Sequence, residues 1–547
     1  MARSWSRFAI LAGLALRPSA AAAAAAAPHF NWEDIEPSSQ LRYTDCYDNF
    51  QCARLLVPLD WLDEENPTAS PSPSSSSRHR ARHRPGLRRP HSRGRAPLRN
   101  DWLRPRGVMH TTPRADCYPD LLTRATENLQ AHGIGSLRTD NPRLAWRHAL
   151  SRAYGQRCDE TLGEDGGILG YASTASAKSA KPARLQYMGF SYGTLLGNTF
   201  ASMFPGRVGR MIIDGVCDSE DYMAGTWLAN LYDTDELIDA LYKRCFDLGS
   251  KCALVKKEDK SWHDLKDKVT AALDHLSRNP VPIKTDGGTM LLGSNDINTL
   301  VFASLYKPSA LFLAVAGVLD IVVQRDYNRL AFLLQALFPA MQTYCPLCVL
   351  PDHVPDSSVL PFDDWSDYFD QLRNQSHISA PIWAEIRFRC SGWTNRPKKA
   401  RRPAPLPLLP PRPRHPVRNA FAMSARHPGS SVVIQESLGH CALASGVSRC
   451  TADIVRTYFE TGQVPESGTV CEEDFAALSA DAAAAAGDTA PVVPFGLPGT
   501  SGLSGEELME KLADLSRVWA QGGWESGQGG RGSEAQEVMQ DIEIGEL

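Results

Sequence analysis

The 547-residue sequence has no run long and apolar enough to cross a membrane as a helix. FAILAGLAL at 8–16 is nine residues long, against the roughly 20 that a span requires. No sign of charge dominates, since the formal net charge is −4. That excludes a chain basic throughout, such as one built to coat nucleic acid. Acids are missing locally. None occurs between Glu385 and Glu436, and 67–106 holds Asp101 alone. A zinc-type cysteine set is also missing. Cys345 and Cys348 form a CxxC, but no second pair accompanies them and no βαβ pattern surrounds them. No metal or cofactor is expected.

Apolar residues make up 43% and charged residues 22%, which is enough for a sizeable core. The 13 cysteines are many for a reducing compartment, so most are expected in disulfides. The segment 1–27 has arginines at 3 and 7, the short apolar run, and an alanine run with A-x-A sites. It reads as a secretory signal peptide, and the expected location is extracellular, with no stable membrane insertion.

Residues 41–66 alternate apolar and polar positions as strands do. The stretch 67–106 is Arg, Pro, Ser and His, a composition that cannot bury a core. Residues 119–160 carry helical periodicity. The order strand (184–188), tight turn, helix (193–203), strand (208–213) is the rhythm of a parallel α/β sheet. Residues 223–375 read mostly as helix and suggest a cap between two parts of a sheet. A second Arg/Pro break at 396–416 is followed by a helix (417–426), a strand (431–435) and a helix (451–460). The expected organisation is a first core part over 41–222, the cap over 223–375, a second core part over 376–475, and a largely disordered tail over 476–547.

The strand–turn–helix reads YMGFSYG at 187–193. A G-x-S-x-G by itself arises by chance in roughly one chain in five of this length. Between an apolar strand and an apolar helix it becomes a nucleophile elbow, with Ser191 on the strained turn and Gly189 and Gly193 as its small neighbours. The Tyr192 backbone N–H would then serve as one oxyanion donor at the helix N-terminus. A serine hydroxyl needs a base. The expected chain order is Ser, acid, His. His440 follows the strand SVVIQ in the loop ESLGHC, whereas His110, His132 and His148 precede the serine, and His275, His353 and His377 fall in or near the helical block.

The segments MGFSYGTLLGNTFASMFPGRVGRMIIDGV, NAFAMSARHPGSSVVIQESLGHCALA and CTADIVRTYFETGQVPESGTVCEED resemble the secreted tripeptidyl-aminopeptidase-like (TAP-like) branch of the prolyl-aminopeptidase group of α/β-hydrolases. The resemblance covers residues 41–66, 105–395 and 417–475. It implies an α/β-hydrolase fold with a mostly parallel central sheet and an inserted helical cap. It also implies a serine exopeptidase that trims residues or short peptides from peptide N-termini, with Ser191 as nucleophile and His440 as base. Peptides are the expected partners. Nucleic acid is not, because the Arg-rich run has only Trp102 for stacking and follows the expected signal peptide.

Two departures accompany the resemblance. The family's glycine-rich loop, which supplies the second oxyanion donor, has no counterpart in 67–104. The family's acid, in a D-P-V-T-P turn, is replaced by Arg414-His415-Pro416-Val417. Both fall in segments of the same Arg/Pro composition, so parts of the sheet are expected to be missing. A catalytically impaired pseudoenzyme, or an error of the gene model over 67–104 and 397–414, is therefore the alternative reading, and an esterase or lipase the next. Asp214 and Asp218 follow the strand after the nucleophile helix and are the candidate substitute acids, although Asp214 also suits a plain structural role.

Overall fold

The computed structural model describes residues 30–57, 74–81, 101–103, 111–162, 184–330, 362–389 and 417–474, apart from short gaps inside those ranges. The expected signal peptide, the 396–416 break, the Cys345/Cys348 pair and the tail beyond 475 lie outside the described residues.

The chain divides into two compact units, one of residues 1–55 with 77–103, the other of 56–76 with 104–547. The first carries a four-stranded sheet in the order β1 (Thr44–Cys46), β2 (Phe50–Val57), β3 (Ser74–Ala81), β4 (Asp101–Leu103). Its small core is Trp32, Ile35 and the bridged pair Cys46–Cys52. β3 and β4 pair antiparallel inside the Arg/Pro/Ser-rich stretch. Sequence composition did not point to strands there. A backbone ladder needs only N–H and C=O groups, whatever the side chains.

In the second unit, helices α1 (Leu121–Ile134) and α2 (Leu144–Leu162) precede β5 (Leu185–Phe190), α3 (Tyr192–Met203), β6 (Val208–Asp214) and the short α4 (Ser219–Met223). A helical block follows: α5 (Thr234–Leu248), α6 (Trp262–Arg278), a hairpin of β7 (Val281–Thr285) and β8 (Gly288–Leu292), α7 (Ser294–Ser304) and α8 (Pro308–Gln324). Then come α9 (Trp365–Arg373), α10 (Ala380–Arg389), α11 (Val417–Ser424), β9 (Val433–Glu436), α12 (Ala442–Ser445), α13 (Arg449–Thr461) and β10 (Thr469–Glu472).

The block folds on its own apolar positions. In α6, Leu265, Val269, Ala272, Leu273 and Leu276 recur at helical spacing and are all buried. The Asp264 carboxylate starts the helix by accepting the Lys260 and Ser261 N–H groups at 2.7 and 2.9 Å. α8 is apolar on nearly every side and becomes the central helix, with Phe312, Val315, Leu319 and Val322 buried among α5, α6 and α7. The β7–β8 hairpin was not foreseen in this block. Asp286-Gly287 between two apolar runs is the signal that could have found it.

A continuous central sheet is not seen among the described residues. Two separate parallel pairs stand in its place, β5–β6 and β9–β10. The reason is visible on the edge of β6 away from β5. There the Met211 N–H donates to the Tyr458 hydroxyl at 3.0 Å, and the Arg210 guanidinium reaches the Phe459 carbonyl. Side chains meeting α13 take the place of a neighbouring strand. Four disulfides join described cysteines: Cys46–Cys52, Cys117–Cys158, Cys245–Cys252 and Cys450–Cys471, the last tying α13 to β10. No described helix is long and apolar enough to cross a membrane.

Candidate active site

The Ser191 turn is a product of its immediate neighbours. β5 runs parallel to β6, and the Ser191 N–H extends their ladder by donating to the Asp214 carbonyl at 3.0 Å. The chain then reverses direction into α3. Ser191 sits at φ 52° and ψ −117°, a conformation costly for a residue with a Cβ and common at functional turns. Its carbonyl accepts the Thr194 N–H at 2.8 Å and the Thr194 hydroxyl at 2.6 Å. The reversal brings Gly193 back over Gly189. A Cβ on Gly189 would lie 2.6 Å from both the Gly193 oxygen and the Tyr187 ring. Tyr187 fills the space beneath and donates its hydroxyl to the Gly193 carbonyl at 2.7 Å. Burial pushes the Tyr187 phenol up to about 12, so it stays a donor at neutral pH. Tyr192 is the first residue of α3, which puts its backbone N–H at the positive end of a helix.

His440 lies in the loop between β9 and α12. Gly439 before it has φ +124° and Cys441 after it φ +72°. The His440 N–H donates to the Leu305 carbonyl at 3.1 Å. The His440 carbonyl accepts the Ser445 hydroxyl at 3.1 Å. The imidazole reaches the end of β6: a Cβ on Gly215 would lie 3.2 Å from its Cε1 and 2.4 Å from the Cys441 sulfur. Gly215, at φ +69°, is the gap through which the His440 loop meets the Ser191 turn. Burial lowers the His440 pKa, and the Asp214 charge opposes that shift as the smaller effect. The imidazole is therefore neutral, and able to accept a proton, to below its ordinary value.

The two candidate acids have different surroundings. Asp214 ends β6, and its carboxylate accepts the Ala442 N–H at 2.8 Å and the Leu443 N–H at 3.0 Å. It fastens the start of α12 beside His440. Asp218 caps α4, accepting the Glu220 and Asp221 N–H groups at 2.9 and 3.3 Å. Ser191, Asp214 and His440 are thus drawn into one place by the ends of β5, β6 and β9, while Asp218 serves its own helix. The turn expected to carry the family's acid falls in 390–416, outside the described residues.

Two thiols beside Ser191 were not singled out in the sequence. Cys441 Sγ lies 3.5 Å from the Asp214 carbonyl, the same oxygen that accepts the Ser191 N–H. Cys217 Sγ lies 3.6 Å from the Ser191 carbonyl. They are the free cysteines of the described residues. Burial pushes the Cys441 thiol up to about 12 and raises that of Cys217, so both are protonated and unreactive at neutral pH. Their positions follow from where the turns converge, which spacing along the chain does not reveal.

The family model described as "TAP-like protein" matches residues 377–471, the segment with α11, β9, His440, α13 and β10. The chain is 28% identical over 148 residues to the tripeptidyl aminopeptidases of Streptomyces lividans and of Streptomyces coelicolor, covering 25% of each chain. It is 24% identical over 240 residues to the serine protease Hip1 of Mycobacterium tuberculosis, covering 42% of this chain and 44% of that one. Residues 377–471 of this chain resemble the TAP-like family. The chain spans between a quarter and a little under half of the length of these relatives. The family match includes the histidine loop after β9, and the Ser191 turn lies outside it.

Proposed function

We propose that this chain is a TAP-like hydrolase and cleaves peptides by acyl transfer at Ser191. The observation that carries the reading is Ser191 in its positive-φ turn at the N-terminus of α3, with His440 reaching the same strand end across Gly215. In this reading His440 takes the Ser191 proton as the Ser191 oxygen attacks the scissile carbonyl. The Tyr192 N–H, at the positive end of α3, faces the charge that develops on the carbonyl oxygen. His440 then protonates the leaving amine, and water hydrolyses the acyl-enzyme. Asp214 contributes a negative charge near the imidazole and holds α12 in place, and Asp218 has no part in the chemistry.

The relatives' names support peptides as substrates and trimming from N-termini as the mode of cleavage. The block 223–375 acts as the cap over the site, within the core parts 41–222 and 376–475. The four disulfides support an oxidising, extracellular location.

One observation favours an impaired enzyme of the same family as the second reading. Both candidate acids spend their carboxylates on backbone N–H groups. A serine–histidine pair without an oriented acid is expected to be slower by about 10⁴ than a complete triad.

Labelling of the purified chain with a fluorophosphonate, beside Ser191→Ala, tests the reading. Covalent labelling that disappears in the variant is the expected result. A folded chain that takes no label excludes acyl transfer at Ser191 and leaves the impaired enzyme.

A further inference from the structure

The strands do not hold the His440 loop by themselves. The turn between α7 and α8 in the helical block reaches it at three points. The Leu305 carbonyl accepts the His440 N–H. Pro308 closes against Gly439, where a Cβ would come within 2.6 Å of its Cδ. The Tyr306 ring meets the His440 ring edge-on, with centroids 5.1 Å apart and planes at 77°. The turn is itself firmly anchored. Leu305 is buried in the core of the block, the Tyr306 N–H donates to Ala303 and the Lys307 N–H to Ser304, and the Ser304 hydroxyl is bonded to Val301.

Tyr306 is 41% exposed, so it does not serve as core filling. Its ring instead covers an imidazole whose charged neighbour, Asp214, is engaged by two amides. We propose that Tyr306 is a positioning residue for His440: its ring, beside the Leu305 carbonyl, fixes the orientation of the imidazole, so that the helical block and not a hydrogen-bonded acid holds the base. Its bearing on catalysis rests on the acyl-transfer reading above; the packing itself does not.

An edge-to-face neighbour limits ring rotation and keeps water from the imidazole. Removing it lets the ring turn and hydrates it, which moves the pKa back up toward the ordinary histidine value. The titratable and charged groups around His440 are Asp214 at the end of β6, Cys441 beside it, Cys217 near the Ser191 carbonyl, and Tyr306 and Lys307 in the turn. None of the others changes when Tyr306 is replaced.

The test measures carbethoxylation of His440 by diethyl pyrocarbonate as a function of pH, read by peptide mass spectrometry on the full chain. Wild type is compared with Tyr306→Phe, Tyr306→Leu and Tyr306→Gln, each also in a Ser191→Ala background. Tyr306→Phe keeps the ring and should reproduce the wild-type profile. Tyr306→Leu and Tyr306→Gln should react several-fold faster at high pH, with the acid limb moved up by roughly 0.5–1 pH unit. Fluorophosphonate labelling of Ser191 should slow in the same two variants and shift with the same limb. Unfolding would also expose His440 and move the limb to the ordinary histidine value, so the profiles are read on chains whose circular dichroism and urea midpoint show them folded at every pH used. Coincident His440 profiles in all four chains overturn the proposal, as does a Tyr306→Phe profile matching Tyr306→Leu. A shifted His440 profile in a chain that takes no fluorophosphonate leaves the positioning intact and refutes the acyl-transfer reading alone.

Discussion

The Ser191 turn and the His440 loop meet at Gly215, yet they are built in opposite ways. The contacts that bend the first lie between Leu185 and Cys217: the parallel pair β5–β6, the Gly189–Gly193 contact, the Tyr187 hydroxyl and the Thr194 bonds. The second is assembled from stretches far apart. The Leu305 carbonyl, Pro308, Gly215 and the Asp214 carboxylate all bear on residues 439–443. At its far side Gly446 packs on Glu473, whose carboxyl is raised by burial. The Ser191 turn is specified by one short segment because a strained turn needs only its neighbours. His440 is delivered to that turn from elsewhere, so its placement depends on segments far apart in sequence.

Breaking the local half should have the largest effect. Gly189→Ala puts a methyl group against a backbone oxygen and an aromatic ring that cannot both retreat. It should cost about 2–3 kcal/mol and abolish fluorophosphonate labelling at Ser191. A urea midpoint equal to that of wild type would show that the turn does not need the Gly189–Gly193 approach.

The distributed half should fail more gradually. Asp214→Ala strands the Ala442 and Leu443 N–H groups and should cost about 2 kcal/mol. It also removes the charge that opposes the lowering of the His440 pKa. The folded value already lies below the unfolded one, so the stability His440 contributes is present above about pH 6.5 and is lost as pH falls through the folded value. Without Asp214 that value falls further, and the loss should extend to lower pH and grow larger. Urea unfolding at pH 8 and at pH 5 checks both parts: the two chains should differ more at pH 5. An equal difference at the two pH values would mean that Asp214 does not act on His440 through its charge.

Asp218→Ala should have the smallest effect of the three. It removes the cap of the five-residue α4 and should cost about 1 kcal/mol. It should leave the labelling rate of Ser191 unchanged. A fall in labelling rate beyond the fall in folded fraction would bring Asp218 back as the acid.

Much of the first half was legible in advance. The strand, turn, helix and strand around Ser191 appear where periodicity put them. β5 runs two residues further than the apolar pattern, to Phe190, because backbone pairing with β6 continues through the glycine. The histidine loop was legible too, since β9, His440 and α13 come in the expected order. What could not be read was the company His440 keeps. Tyr306 and Leu305 stand over 130 positions before it, in a turn that looks like any other between two apolar helices. The antiparallel pairing of Ser74–Ala81 with Asp101–Leu103 escaped notice for another reason: backbone hydrogen bonding leaves no mark on composition.

Spacing along the chain already carried the Ser191 turn, the order of Ser191 and His440, the apolar faces of the helical block and the density of cysteines. These depend on spacing, side-chain size and φ preference, all properties of neighbours along the chain. Only the folded chain shows that Asp214 fastens α12, that Asp218 caps α4, that two thiols flank Ser191, and that a tyrosine from the helical block packs on His440. Each is a contact between segments far apart in sequence. Such contacts are fixed by how the strand ends and helix turns converge in space, and no local pattern records that convergence.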